Sequence, residues 1–304
     1  MTPAFRIRGL ALGYGDRPVV HEVDLDVEHG CTTVLIGANG CGKSTLLKGL
    51  SRRLRPTAGT LEADGREVRS WSSREYARSV SLLPQSPVVP EGLTVAELVE
   101  RGRHPHRRWW GAPSPDDDAA VARALELTEL TALAARPVEE LSGGQRQRAW
   151  IALTLAQGAR TMLLDEPTSF LDLAHQVDLL DMLHGLEHPD GTRATVVAVL
   201  HELNLAARVA DRLVAMADGR IVATGTPHEV LTPALLAEVF GLRADVAHDP
   251  VGGHPVVLPR GRAREGSSAV PPVLLDQPGL LDQPDLPVLP AVPAALSTAE
   301  PARR

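Results

Sequence analysis

A chain of 304 residues, 43% hydrophobic and 23% charged, has the composition of a globular protein with a sizeable buried core, in one large domain or two ordinary ones. Its formal charge of −7 and pI near 5.9 argue against a nucleic-acid binder, which needs an excess of Lys and Arg on some face. No run approaches the roughly 18 apolar residues that cross a bilayer, and MTPAFRIRGL lacks an apolar signal-peptide core, so the expectation is a cytosolic chain that meets a membrane only through a protein partner.

In chain order, FRIRGLAL (5–12) predicts a strand. Tyr14 follows between Gly13 and Gly15, where a flat ring can stand clear of the backbone, either as an ordinary turn aromatic or as a platform for a base. TTVLI (32–36) predicts a second strand, and it runs into GANGCGKST (37–45) and then the helical pattern KSTLLKGLSRRL. This is the P-loop pattern G-x-x-x-x-G-K-S/T in its required strand-and-helix setting. The backbone N–H groups of Gly40, Cys41, Gly42, Lys43 and Ser44 are suited to cradle ATP phosphates, with Lys43 on the β- and γ-phosphates and the Ser44 hydroxyl on Mg²⁺. Gly37, Ala38, Asn39 and Thr45 complete the candidate loop. Of 31 Lys and Arg residues only Lys43 and Lys48 are lysines, and at Lys43 a compact ammonium is wanted where a planar guanidinium does not fit. Cys31 and Cys41 are expected to stay reduced, since a disulfide would distort the loop's glycines.

LEADGREV predicts a tight hairpin at Asp64-Gly65, and VSLL (80–83) a short buried strand that ends in Pro84-Gln85. Thr94 to Glu97 forms a capping box, and SPDDDAAVARALEL opens another helix with Pro115 near its first position. In LSGGQRQRAW (141–150), Ser142 is a good N-cap before Gly143, Gly144 and Gln145, which reads either as a second anion-binding helix start or as a well-capped helix only. The helix is expected from about Gly144, followed by the strand TMLL, a helix from about His175, the strand TVVAVL, a helix from about Asn204 and a hairpin at Asp218-Gly219. That alternation predicts parallel α/β architecture. Residues 260–304 are rich in Pro, Ala, Ser and Leu and carry LLDQPGLLDQP; they read as a disordered tail, with a proline-rich docking ligand as the alternative.

Four apolar runs end abruptly in polar residues: TTVLI in the P-loop, VSLL in Gln85, TMLL in Asp165-Glu166 and TVVAVL in His201. The carboxyl ends of parallel strands share one edge, so these groups are expected at one site. Asp165 is the candidate Mg²⁺ carboxylate, and Glu166, facing away from it, the general base for an attacking water. His201 is expected to contact the γ-phosphate or position that water, and Gln85 to reach Mg²⁺ through its amide oxygen.

Together GANGCGKST, the glutamine of LLPQ, LSGGQ, TMLLDEP, SFLD and His201 resemble the ATP-binding subunit of an ABC transporter, over roughly residues 5–258. The resemblance implies a P-loop NTPase fold in a domain spanning 1–259, with a parallel core sheet, an antiparallel β subdomain and a helical subdomain at about 86–158. It also implies a head-to-tail dimer in which Ser142, Gly143, Gly144 and Gln145 of one copy close over ATP held by the other. Tyr14 then looks like the adenine-stacking aromatic and Asp172 like the D-loop residue, with Phe170 where alanine is commoner. RGRHPH (101–106), FLDLAHQ (170–176) and HDPVGGHPVVLP (248–259) resemble the ATPases of ferric-siderophore importers, a group that includes haem and cobalamin systems; His104 stands where an aromatic is frequent. The implied partners are a second ATP-binding subunit, two membrane permease subunits and, indirectly, an extracytoplasmic binding protein, with the chain peripheral at the cytoplasmic face of the membrane. RGRHPHRRWW is then a surface loop near the permease rather than an RNA contact. A soluble ABC ATPase is the rival, without the second cassette or the long coiled-coil insertion that translation and repair proteins of this type carry.

Overall fold

In a computed structural model the described residues are 2–87, 91–107, 114–188 and 190–263. The first half of the chain forms β1 (Phe5–Tyr14), β2 (Arg17–Val27), β3 (Thr32–Gly37), α1 (Lys43–Leu50), β4 (Ala58–Ala63), β5 (Arg66–Glu67), α2 (Ser73–Ser79), β6 (Val80–Leu83), α3 (Val95–Glu100), α4 (Pro115–Leu127) and α5 (Gly143–Ala156). The second half continues with β7 (Thr161–Asp165), α6 (Leu173–His184), β8 (Thr195–Val199), α7 (Leu203–Val209), β9 (Arg212–Ala217), β10 (Arg220–Gly225), α8 (Pro227–Val230), α9 (Pro233–Phe240), β11 (Leu242–His248) and β12 (Pro255–Arg262).

The central sheet has the order β10-β9-β3-β8-β7-β6, parallel throughout except for the β9–β10 hairpin. Its middle strands read as unbroken apolar runs because both faces are covered. Leu35, Leu163, Val197 and Val199 turn toward one core, while Val34, Ile36, Met162, Leu164, Val196 and Ala198 turn toward the other. The first core is closed by α1 and by an antiparallel sheet of order β2-β1-β4-β5, through Leu46, Leu47 and Leu50 on the helix and Phe5, Ile7 and Leu10 on the sheet. At the β4–β5 turn both Asp64 and Gly65 have positive φ, 51° and 73°, as a two-residue hairpin of the expected kind requires. The second core is closed by α6, α7 and α9.

Helices α3, α4 and α5 bury a core of their own, with Val95, Leu98, Val121, Leu125, Ala149 and Ala152 at its centre. The most buried of its ion pairs joins Arg103 to Asp117. Asp117 sits in the first turn of α4, takes the Ser114 N–H at 3.0 Å and hydroxyl at 2.9 Å, and accepts the Arg103 guanidinium at 2.8 Å, while Arg103 also donates to the Ala156 carbonyl. The Ser114 N–H holds the Asp117 carboxyl down at about 2 against the opposing pull of burial, helped by Arg103 and the Ser114 hydroxyl. A depressed carboxylate stabilises the fold fully above its ordinary value of 3.8 and stops doing so as pH falls toward about 2. Asp117→Asn is therefore expected to cost about 3 kcal/mol at neutral pH by stranding Arg103. It should also flatten the dependence of Tm on pH in the window from about 4 to about 2; an unchanged slope in thermal melts would overturn this.

Several boundaries differ from the sequence expectation. α1 stops at Leu50 instead of running on to Leu54, because Ser51 caps it and Arg52 turns left-handed at φ 62°. α6 starts at Leu173, two residues before His175, because the Asp172 carboxylate accepts the His175 N–H at 3.0 Å and so makes Asp172 the N-cap. The folded chain does not end at Pro259. β12 continues to Arg262, where Gly261 and Arg262 pair with Arg243 and Leu242, and Ala263 donates to the Gly241 carbonyl. Pro259 is tolerated because β12 has a strand neighbour on one side only. Residues 264–304, most of the segment read as a tail, lie outside the described residues, as do residues 108–110 of RGRHPHRRWW. Among the described residues no helix is long and apolar enough to cross a membrane.

Candidate active site

The P-loop glycines serve different ends: Gly40 has open space around it and is needed for its φ of 81°, whereas Gly37 is needed for close approach. A Cβ on Gly37 would lie 2.2 Å from the Met216 carbonyl oxygen, so the loop packs against β9 only without a side chain there. Gly42, at φ 106°, is the N-cap of α1 and gives no side-chain cap, so the first N–H groups of the helix have no side-chain acceptor. That arrangement suits an anion. The Lys43 ammonium folds back over the loop, donating to the carbonyls of Gly37 at 2.8 Å and Ala38 at 3.0 Å, with Cys41 Sγ at 3.7 Å.

Four strand ends then meet in register. β8 lies between β3 and β7, with Val199 opposite both Leu35 and Asp165, and Leu83 of β6 lies opposite Leu164 of β7. The Ser44 hydroxyl donates to Asp165 Oδ1 at 2.8 Å. Burial pushes the Asp165 carboxyl up, with the Ser44 bond and the nearby Lys48 and Lys43 ammonium groups pulling partly the other way. Glu166 departs from this direction through its backbone as well as by strand alternation: φ is 54°, a left-handed conformation uncommon for a side-chain-bearing residue, held by its N–H on the Val199 carbonyl. Its carboxylate receives Gln85 Nε2 and His201 Nε2, each at 2.7 Å on Oε1. Burial raises the Glu166 carboxyl, but the bonds from His201 and Gln85 outweigh it and leave the group below the ordinary glutamate value, hence ionised at neutral pH.

A cleft of about 340 Å³ is lined by Asn39, Gly40, Gly42, Lys43, Ser44 and Thr45 of the loop and by Gln85, Glu166 and His201 from the other strand ends, while Asp165 is buried and linked to it through the Ser44 hydroxyl. Val19 of β2 also lines it; an apolar residue on an antiparallel strand carries no chemical signal that the sequence could have offered. Among the described residues no group of three or more His, Cys, Asp or Glu could hold a metal alone. Ser44 and Asp165 instead offer an adjacent pair of hard oxygen donors, which fits Mg²⁺, a cation that keeps water and substrate phosphate oxygens as its other ligands.

The remaining candidates lie outside this cleft. Tyr14 ends β1, about half exposed, and its hydroxyl accepts from Lys48 Nζ at 3.1 Å. Ser142 caps α5: its hydroxyl accepts the Gln145 N–H at 3.2 Å and Gln145 Oε1 accepts the Ser142 N–H at 3.1 Å, with Gly143 and Gly144 in the first turn between them. This second helix start is tied to the segment after β7, because Gln147 Nε2 donates to the Pro167 carbonyl at 3.0 Å and a Cβ on Gly143 would touch Phe170. Phe170, at φ 67°, and Leu173 stand exposed beside it, and the Asp172 carboxylate is engaged with His175. The two helix starts thus differ: that of α1 has no side-chain cap and lines the cleft, and that of α5 is closed by its own capping box and does not.

The family described as ABC transporter matches residues 20–169. The chain is 48% identical over 255 residues to the probable siderophore transport system ATP-binding protein of Bacillus subtilis, covering 84% of this chain and 92% of that protein. To the ferric enterobactin transport ATP-binding protein of Escherichia coli it is 47% identical over 259 residues, covering 84% and 95%. A solved ATP-binding cassette, dimeric in a post-hydrolysis state bound to ADP and Pi, is 26% identical with a TM-score of 0.64 over 73% of this chain and 98% of that one.

Proposed function

The chain belongs to the ABC transporter family, and on that premise we propose that it is the ATP-hydrolysing subunit of an importer that takes up iron complexes, ferric siderophores first among them, through separate permease subunits. The observation that carries the chemistry is the meeting of four strand ends at one cleft, with Ser44 on Asp165 at one side and Gln85 and His201 on Glu166 at the other. The iron-complex assignment is supported by relatives named for siderophore and enterobactin transport.

In this reading the N–H groups at the start of α1 and the Lys43 ammonium bind the phosphates of ATP, and Tyr14 stacks on its base. Ser44 and Asp165, with the Gln85 amide oxygen as a third donor, would hold Mg²⁺, which would supply positive charge against the phosphate oxygens. Glu166 takes the proton of the attacking water, and Gln85 and His201 hold its carboxylate in place. Ser142, Gly143, Gly144 and Gln145 close over the nucleotide of a second copy, with Asp172 alongside, in a head-to-tail pair. The pair docks on two permease subunits at the cytoplasmic face of the membrane; closure on ATP moves the permease, and hydrolysis reopens the pair.

Uptake of a radiolabelled ferric siderophore, measured in a strain lacking this gene and in the same strain complemented with it, is expected to depend on the gene and on Lys43. Uptake that proceeds equally in both strains would overturn the iron-complex assignment, and rescue of haem or cobalamin uptake instead would reassign the cargo.

A further inference from the structure

His201 is fixed by few contacts. Its imidazole reaches Glu166 through Nε2, and its position is otherwise set by the backbone on either side: the end of β8 before it and the start of α7 after it. The start of α7 is unusual. Glu202 is its N-cap and makes no side-chain cap, whereas every other described α-helix except α1 is closed by a capping side chain. An uncapped first turn of a seven-residue helix has little stability of its own.

Leu205, Ala206, Ala207 and Val209 bury one face of α7 in the second core, and what ties its first turn by hydrogen bonds to the rest of the fold is Asn204, three residues after His201. Its Oδ1 accepts the Val257 N–H at 2.7 Å, and its Nδ2 donates to the Val257 carbonyl at 3.3 Å. β12 pairs with β11 on one side only, so half of its backbone groups face away from any strand, and the Asn204 amide serves those of Val257 as a neighbouring strand would. The hairpin itself is well fixed. Val257 and Ala244 are buried in the second core, Asp249 accepts the N–H groups of Val251 and Gly252 in the connecting turn, and His228 hydrogen-bonds the Gly253 carbonyl. The stretch HDPVGGHPVVLP supplies this turn and β12, yet none of its residues lines the cleft.

We propose that Asn204 is a positioning residue for His201, anchoring the start of α7 to the C-terminal hairpin so that the imidazole stays on Glu166. The proposal rests on the role given to His201 above. Loss of the anchor leaves the histidine's chemistry intact but lets its backbone wander, and a misplacement of about 1 Å costs up to about 100-fold in rate.

The test is a cycle of full-length variants: Asn204→Ala, His201→Ala and the double substitution, with kcat and KM for ATP hydrolysis and Tm measured for each. Asn204→Asp is added because it keeps the acceptor for the Val257 N–H and loses the donor to the carbonyl. The expected result is a kcat lower by about tenfold in Asn204→Ala with KM unchanged, a smaller loss in Asn204→Asp, and no further loss when Asn204→Ala is added to His201→Ala. Normal kcat in Asn204→Ala beside a strongly impaired His201→Ala would overturn the proposal alone. An equal fractional loss in both backgrounds would also overturn it, since that is the signature of a merely structural bond. Near-normal hydrolysis by His201→Ala itself would overturn the role of His201 and the proposal together.

Discussion

Glu166→Gln is expected to lower ATP turnover by about 10²- to 10⁴-fold while leaving ATP-dependent pairing of two copies intact. The substitution is close to isosteric, and Gln tolerates the left-handed backbone at φ 54° no worse than Glu does. Its amide oxygen still accepts from Gln85 and His201, which converge on one oxygen of the carboxylate, so the architecture of the cleft is kept. What is lost is the ability to take a proton. A carboxylate held below its ordinary value is available as an acceptor throughout the neutral range, and an amide is not available at any pH. Steady-state hydrolysis gives the first number and light scattering with and without ATP gives the second. Near-parental turnover would remove Glu166 as the base.

The second large effect is at the other helix start. Gly144→Asp should abolish hydrolysis, by about 100-fold or more, without weakening the binding of ATP to the monomer. A Cβ at this position would come within 3.1 Å of Leu171 Cδ2 and 3.3 Å of the Phe170 carbonyl, so the neighbours must give by a few tenths of an ångström. An acidic residue in the first turn of a helix does not itself oppose folding. Its charge does oppose the approach of a phosphate to the N–H groups it sits among. In the parent, specific activity should rise with protein concentration. The sharpest check mixes two inactive variants: Gly144→Asp with Lys43→Ala should recover hydrolysis that neither shows alone, because a head-to-tail pair then contains one site with both halves intact. No recovery would argue against completion of the site by a second copy.

The parts of this architecture that were legible in the sequence are those written in neighbouring residues. The P-loop, the capping boxes at Ser142 and Thr94 and the turn at Asp64-Gly65 each declare themselves within a few positions, because the physics is local: a cap, a left-handed turn, a run of apolar side chains covered on both faces. The meeting of Gln85, Asp165, Glu166 and His201 near the loop was also legible, since parallel strands share a carboxyl edge whatever their separation in sequence. The contacts that set fine geometry were not. Asn204 and Val257 are 53 positions apart, and nothing in either residue names the other. Asp116, Asp117 and Asp118 all stand in the first turn of α4, where any acidic residue is favoured; that Asp117 alone turns inward to Arg103 depends on packing between α4 and the end of α5. The left-handed turn at Glu166 is likewise imposed by its bond to β8 and is not announced by the residue type.

Lys43 and Lys48 lie on one helix, five positions apart, and they are the only lysines in the chain. Every other basic side chain but histidine is an arginine, which acylating reagents leave untouched. The whole stock of ε-amines is therefore concentrated at the phosphate loop: Lys43 nearly sealed among the loop's carbonyls, Lys48 near the surface against Tyr14. Among side chains an amine-reactive label is therefore in effect directed to Lys48, and protection of that amine by nucleotide, read apart from the more acidic α-amine, reports occupancy without a single engineered residue.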